Sequence, residues 1–296
     1  MKEFLPFGTW SCFQNILVKE LSPTRGPAIW IDKNTPFGKI RVDINSGQIL
    51  KASVKKIPIT KVTFPLFGTI EVTSSCNLRC AHCLAARNSV AALSHEKILS
   101  LIDELADGGV VSMGFSGGEP TFRKDLSEII EYASRKKKIQ TLLFTNGTLL
   151  SVDLVKKFKK AGLNWIGISL DSHKSEKHDD FRGVGGAFSL ALQGIKNSVA
   201  YGFNVWIRCT LTNRNDLSDL EDILGLAREL KVSRLYLIRV VNWGNADLNN
   251  LSISDKRRQQ IIAHITSHPE FFDVNIKAKK SGDFDFLKYC QVIMLN

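Results

Sequence analysis

The sequence predicts an α/β fold organised on a parallel sheet, and three observations carry that reading. From about residue 66, six short apolar runs alternate with six longer helical stretches, a pattern that folds as β/α units with right-handed crossovers. Polar and glycine-rich residues gather just after the apolar runs, where parallel sheets place their ligands. Before residue 66 the chain instead shows short strand-like runs broken by turn residues, so a small β-rich segment precedes the main unit.

Taken in order, segment 1–65 holds strand-like runs at 28–31, 39–44 and 48–50, with Asn45-Ser46-Gly47 as a turn and Pro58 and Pro65 marking the junction. The main unit, 66–275, offers strands at 69–73, 110–115, 139–144, 165–170, 205–211 and 234–240. Helices are expected at 94–107, 124–137, 151–162, 187–201, 216–230 and 253–267, and 276–296 is left as a tail. Open doubly wound sheets and partial or complete barrels both satisfy this alternation.

Composition narrows the class. A 296-residue chain with 44% hydrophobic and 23% charged residues can bury a sizeable core, which excludes a disordered or fibrous chain. No stretch of about 18 apolar residues is present to span a bilayer, and 1–6 lacks the apolar core of a signal peptide. A cytoplasmic protein without a membrane partner is expected. The net charge of +11 is spread over 135–138, 156–160, Arg257-Arg258 and 277–280. These read as solvated helix faces or ends. No aromatic residues interleave the lysines as a stacking platform would require, which argues against a nucleic-acid groove.

Six cysteines are too few for a disulfide scaffold, and three of them fall in Cys76-Asn77-Leu78-Arg79-Cys80-Ala81-His82-Cys83. Cys12, Cys209 and Cys290 are scattered. The C-x3-C-x2-C spacing admits three readings. Positions i, i+4 and i+7 share one face of a helix, so the cysteines can be core residues. A structural zinc site wants four ligands, which His82 or a distant cysteine would have to complete. Three thiolates can also hold three irons of a [4Fe–4S] cluster, leaving the fourth iron open to a substrate or cofactor. The next strand ends carry Ser116-Gly117-Gly118-Glu119-Pro120, Thr145-Asn146-Gly147 and Ser169 with Asp171, followed by His178-Asp179-Asp180-Phe181-Arg182-Gly183.

Together these motifs, through about residue 240, resemble the radical S-adenosylmethionine (radical SAM) superfamily. The resemblance implies a partial (β/α)6 barrel and a [4Fe–4S] cluster on Cys76, Cys80 and Cys83, with S-adenosylmethionine (SAM) on the open iron. It further implies that an electron from a donor such as a flavodoxin or ferredoxin cleaves SAM to methionine and a 5′-deoxyadenosyl radical, which takes hydrogen from a substrate. Gly117 and Gly118 are then expected to let backbone approach the methionine ammonium, with Glu119 adding negative charge beside it. Ser169 and Arg182 match positions that contact SAM, the guanidinium suiting its carboxylate; a surface pair of Arg182 with Asp179 is the plainer alternative. Thr145 matches a position on the nucleoside side, and Val241 one that packs on adenine. His82 stands where many members carry Tyr or Phe.

Residues 168–188 are most similar to the branch of peptide and protein maturases, tetrapyrrole-modifying enzymes and molybdenum-cofactor synthases, so a peptide, protein or small-molecule substrate is expected. Many members of that branch carry a cysteine-rich extension for auxiliary clusters. Here Cys290 is the only cysteine after Cys209, so no complete auxiliary-cluster domain is expected in the tail. An iron–sulfur binding or regulatory protein without turnover is the alternative to an enzyme.

Overall fold

The computed structural model describes residues 16–20, 30–35, 38–43, 49–51, 67–84, 92–241, 243–267 and 294–295. The turn at 45–47, Cys12, Cys290 and the basic run 277–280 lie outside them.

Six strands run parallel and adjacent in chain order: β5 (Phe67–Thr73), β6 (Ser112–Gly117), β7 (Gln140–Thr145), β8 (Trp165–Ser169), β9 (Asn204–Leu211) and β10 (Arg234–Arg239). Among the described residues β5 and β10 do not pair with each other, so the sheet is a partial barrel, left open. Its edges are extended by β1 (Ile16–Glu20), antiparallel to β10, and by β11 (Met294–Leu295), parallel to β5. The strands β2 (Trp30–Thr35), β3 (Gly38–Asp43) and β4 (Ile49–Lys51) form a second, antiparallel sheet.

The expected helices form within a residue or two of their predicted ends. They are α1 (His95–Asp107), α2 (Leu126–Glu131, running on as a π turn through Lys136), α3 (Val152–Ala161), α5 (Ala187–Ala200), α6 (Leu217–Glu229) and α8 (Asp255–Ser267). Local chemistry sets their starts. Ser94 Oγ accepts from Lys97 N and Ser151 Oγ from Leu154 N, while Asp216 and Asp219 make a reciprocal capping box on α6. Each such cap contributes about 1 kcal/mol. Two short helices follow strands without having been expected: α4 (Ser175–Arg182) after β8 and α7 (Asn245–Leu248) after β10.

The two faces of the sheet differ. Alternate residues such as Ile70, Phe115, Leu143, Ile168, Ile207 and Leu237 pack outward against Ile98, Ile129, Phe158, Ile195 and Leu220 of the helices in one buried core. The inner face carries Leu142, Trp165 and Trp206 with Phe67, Phe144 and Tyr236 packed against them. Thr69 and Glu71 alternate onto that inner face with Phe67. With helices covering one face, the chemistry-bearing loops emerge at the C-terminal rim.

Candidate functional site

The three cysteines sit on the irregular loop 74–84 that leaves β5, not on a helix, with Cys76 exposed and Cys80 and Cys83 half-buried. The core-helix reading of their spacing is thereby corrected. An irregular loop must find partners for its backbone elsewhere, and this one finds them on three sides. Gly118 N and Glu119 N, at the end of β6, donate to Thr73 O and Ser75 O at 2.7 Å each. From the C-terminal end of α4, Arg182 O and Phe181 O accept from Arg79 N at 3.0 Å and Ala81 N at 2.9 Å. On the third side Asn245 donates through N to Cys83 O at 3.1 Å and through Nδ2 to Cys80 O at 3.2 Å, and Asn249 Nδ2 reaches Ala81 O at 2.9 Å. A polar ring at the end of β7 completes the fastening: Asn146 Nδ2 donates to Asn77 Oδ1 at 2.9 Å, and Asn77 Nδ2 to Thr148 Oγ1 at 2.8 Å.

Two of the sulfurs already face N–H donors. Leu78 N lies 3.4 Å and Asn146 Nδ2 4.0 Å from Cys76 Sγ, and Arg182 Nη1 lies 3.6 Å from Cys80 Sγ. Burial pushes both thiols up from their ordinary pKa, with the Leu78 N–H opposing it at Cys76 and the Arg182 guanidinium at Cys80. The remaining described cysteine, Cys209, is buried on β9 and faces Asp171 O at 3.5 Å, away from this trio.

The packing of the chain by itself requires glycine at 117 and 118. A Cβ on Gly117 would stand 2.2 Å from Thr73 O, and one on Gly118 2.3 Å from Ser75 O. Gly117 also holds φ +132°, which favours glycine. The close neighbour is the chain leading into the cysteine loop. Glu119 likewise turns inward. It is fully buried; its Oε1 accepts from Thr121 N at 3.1 Å, Thr121 Oγ1 at 2.5 Å and Thr145 Oγ1 at 2.7 Å, and its Oε2 accepts from Asn146 N at 2.7 Å. The Thr145 hydroxyl, expected toward a nucleoside, is spent in this network and also accepts from Gly147 N at 3.0 Å. Glu119 and Thr145 thus buckle the ends of β6 and β7 together behind Cys76.

Ser169 is half-buried at the end of β8 and paired in register with Arg208; its hydroxyl has no hydrogen-bond partner among the described residues. Arg182 is buried and pairs with Asp171, not Asp179: Nε lies 2.7 Å and Nη2 2.6 Å from Asp171 Oδ2. Asp179 instead accepts from Gly186 N at 2.6 Å and Phe188 N at 2.7 Å, holding the start of α5. Burial is the largest influence on Arg182 and Asp171 and works against both charges, but the groups around each together outweigh it: Asp171 and Cys80 raise the arginine's pKa, and Arg182, His178, His82 and the Thr210 N–H lower the aspartate's. His82 stacks on Phe181, with ring centres 4.7 Å apart and planes 8° from parallel. Burial, then the Arg182 charge, lowers its pKa to about 4, so the ring is neutral at pH 7; its buried Nδ1 has no hydrogen-bond partner among the described residues. Val241 is half-buried two residues beyond β10, its carbonyl accepting from Trp243 N at 2.8 Å.

The sequence profile of the radical SAM superfamily matches residues 70–227, more than half of the chain and all the motifs from β5 through α6. The chain belongs to the radical SAM superfamily. It is 39% identical over 193 residues to the Fe-coproporphyrin III synthase of Methanosarcina barkeri, covering 63% of this chain and 48% of that one. The AdoMet-dependent heme synthase of the same organism is 33% identical over 228 residues, 72% of this chain and 65% of that one. The subtilosin biosynthesis protein AlbA of Bacillus subtilis is 36% identical over 172 residues, 56% of this chain and 37% of its own. The chain thus spans between about a third and two thirds of the length of these relatives. Streptococcus suis SuiB, solved with S-adenosylmethionine bound, shares the fold with a TM-score of 0.60 at 16% identity over 83% of this chain and 71% of that chain.

Members of the radical SAM superfamily bind a [4Fe–4S] cluster and SAM, and the donor set here fits such a cluster better than a single metal ion. Among the described residues the only three or more Cys, His, Asp or Glu ligand atoms within 4.8 Å of one another belong to His173, Asp219 and Asp222. The three sulfurs are therefore spread wider than the roughly 3.8 Å that tetrahedral zinc, with Zn–S of about 2.3 Å, imposes. A cubane binds each thiolate at a different corner, and N–H donors at Cys76 and Cys80 suit thiolate ligands. Sequence reading missed Asn77, Asn146, Thr148, Asn245 and Asn249, whose side chains fasten the loop or, for Thr148, close the polar ring. Only Asn77 and Asn146, adjacent to motif residues, carried any signal.

Proposed function

We propose that this chain is the catalytic core of a radical SAM enzyme with Cys76, Cys80 and Cys83 as cluster ligands and a tetrapyrrole-like substrate. The observation that carries the reading is that the three cysteines, Ser169 and Arg182 meet at one rim of the open sheet, with the Arg182 guanidinium already on the Cys80 sulfur. When bound, the cluster and SAM supply the chemistry: one electron cleaves the sulfonium, and the adenosyl radical removes a hydrogen atom from the substrate. The protein's part is to hold and orient. Arg182 has three of its five N–H donors engaged, leaving one on each terminal nitrogen for a carboxylate. Ser169 offers a hydroxyl at the end of β8 on the same rim, and His82 a neutral ring for the nucleoside.

In the same reading 66–275 is the catalytic unit. The inner face supports the substrate class: half-buried Phe144 and Tyr236 present aromatic rings there, backed by buried Trp165 and Trp206, and the Arg208 guanidinium stacks 4.5 Å from the Phe144 ring, which suits a flat molecule bearing carboxylates. The likeness to the coproporphyrin and heme synthases supports it too. A peptide substrate is the second reading, favoured by the match to AlbA.

The test is anaerobic reconstitution with iron and sulfide, reduction, and chromatography after adding SAM. 5′-Deoxyadenosine above a Cys80→Ala control is expected; none, with the cluster shown to be reduced, overturns the enzyme reading in favour of an iron–sulfur binding protein. Titrating iron coproporphyrin while following its visible absorption band checks the substrate class. A saturable shift supports it, and no shift overturns it in favour of the peptide.

A further inference from the structure

Resting on the reading above, we propose that Asp171 is a positioning residue for the cofactor end of the site. It holds the Arg182 guanidinium in the one orientation that keeps Nη1 on the Cys80 sulfur and leaves the two remaining donors set for the carboxylate of SAM.

Three observations carry this. Asp171 meets Arg182 through a single oxygen, Oδ2, which takes both Nε at 2.7 Å and Nη2 at 2.6 Å. That geometry fixes the plane of the fork, because two nitrogens of one rigid guanidinium are pinned at once. The aspartate is itself fixed by three contacts from two elements, β9 and α4. Thr210 N of β9 donates to Oδ1 at 2.9 Å, the Asp171 N–H points at His178 Nδ1 of α4 at 3.2 Å, and Cys209 Sγ lies 3.5 Å from Asp171 O. The third nitrogen of the fork reaches a cluster ligand, Cys80 Sγ, at 3.6 Å. A pair that only stabilised the fold would have no reason to aim its free edge at the cysteine loop.

The alternative is a buried ion pair whose work ends with folding. The two differ in what they do to ligand discrimination. If Asp171 orients the fork, loosening it weakens the hold on a carboxylate and on nothing else of SAM. If the pair is structural, stability falls while the preference for a carboxylate survives.

The experiment measures binding of SAM and of decarboxylated SAM to the anaerobically reconstituted chain, as wild type and as Asp171→Asn. Asparagine keeps the acceptor for Thr210 N but removes the charge that pins the arginine. The expected result is unchanged iron content, a loss of about tenfold in SAM affinity, as for weakening one charge-assisted contact, and unchanged affinity for decarboxylated SAM. SAM affinity within twofold of wild type, or equal losses for both compounds, overturns the proposal. Should Asp171→Asn not fold or not load iron, Arg182→Lys decides by the same criterion. It keeps the charge pair with Asp171 but cannot reproduce the fork, so SAM alone must bind more weakly. Wild-type protein that loads no iron overturns the proposed function itself, a result distinct from loaded protein whose discrimination is unaffected.

Discussion

Replacing Glu119 by glutamine separates two accounts of the same residue. The sequence places its charge beside the SAM ammonium, whereas the structure buries it completely and surrounds it with four donors. An amide keeps the shape but carries an NH2 group where one oxygen was. With that nitrogen at the Oε2 position it meets Asn146 N, 2.7 Å away; at the Oε1 position it meets Thr121 N, 3.1 Å away. The two threonine hydroxyls can rotate to accept, but a backbone N–H cannot, so either orientation strands at least one buried donor. Losing a charge-assisted bond costs about 1.5–3 kcal/mol and stranding a donor about 1–3. The expected destabilisation is about 3–5 kcal/mol, or roughly 6–20 °C in Tm for a domain of this size. Urea denaturation and calorimetry of wild type and Glu119→Gln read it directly. A loss under about 1 kcal/mol accompanied by weaker SAM binding would refute the buckle and return Glu119 to the ligand.

The remaining expectations concern the loop and the inner wall. Reconstituted wild type should hold about four irons. Cys76→Ala, Cys80→Ala and Cys83→Ala should each abolish this, while Cys209→Ala, buried away from the loop, leaves it intact; iron and sulfide assays check it. Gly183→Ala should cost about 1–3 kcal/mol and lower iron retention, because φ is +70° and the new Cβ would stand 2.5 Å from Arg79 O, next to Cys80; denaturation curves and iron-to-protein ratios test both halves. Glu71→Gln should stabilise the protein near neutral pH. Burial raises this carboxyl's pKa, and no cation lies in salt-bridge range among the described residues. The folded state therefore binds the proton more tightly than the unfolded one, and wild-type stability falls as pH rises through the unfolded and then the folded pKa. Below both values, near about pH 3.5, wild type and Glu71→Gln should unfold alike; an advantage there equal to that at neutral pH would contradict the account.

The strands and most of the helices were legible because each combined periodicity with punctuation. Ser94, Ser151 and Asp216 announce helix starts, and the apolar runs are too short for anything but strands in a covered sheet. Helix α4 was not legible. Ser175–Arg182 is mostly charged and offers no apolar stripe, since its buried residues are His178, Phe181 and Arg182. Strands β1 and β11 are short and join the sheet through partners far away in sequence, which periodicity does not register. The site divides in the same way. Cysteine spacing and strand-end motifs marked the rim, but the direction of each side chain depended on tertiary packing. The i, i+3 spacing of Asp179 and Arg182 suggested a surface pair, whereas the turn that ends α4 at Gly183 sends the arginine inward to Asp171 and frees Asp179 for the next helix.

The way the loop is fastened also orders events. Nothing in 74–84 forms a regular element, and its backbone bonds run to residues that follow β6, to α4 and to α7. These partners lie from about forty to about one hundred and seventy positions downstream in the chain, so the loop's full set of bonds requires the sheet through β10 to be in place. Small zinc domains are the contrary case, in which the metal is the core and its removal unfolds the chain. Here the outward-facing core between sheet and helices contains none of the three cysteines. The fold is therefore expected to stand without the cluster, and the cluster to need the fold. Stripping the metal should leave cooperative unfolding in place, whereas Asn146→Ala or Asn245→Ala, which release the loop from one side, should lower iron retention with most of the stability intact.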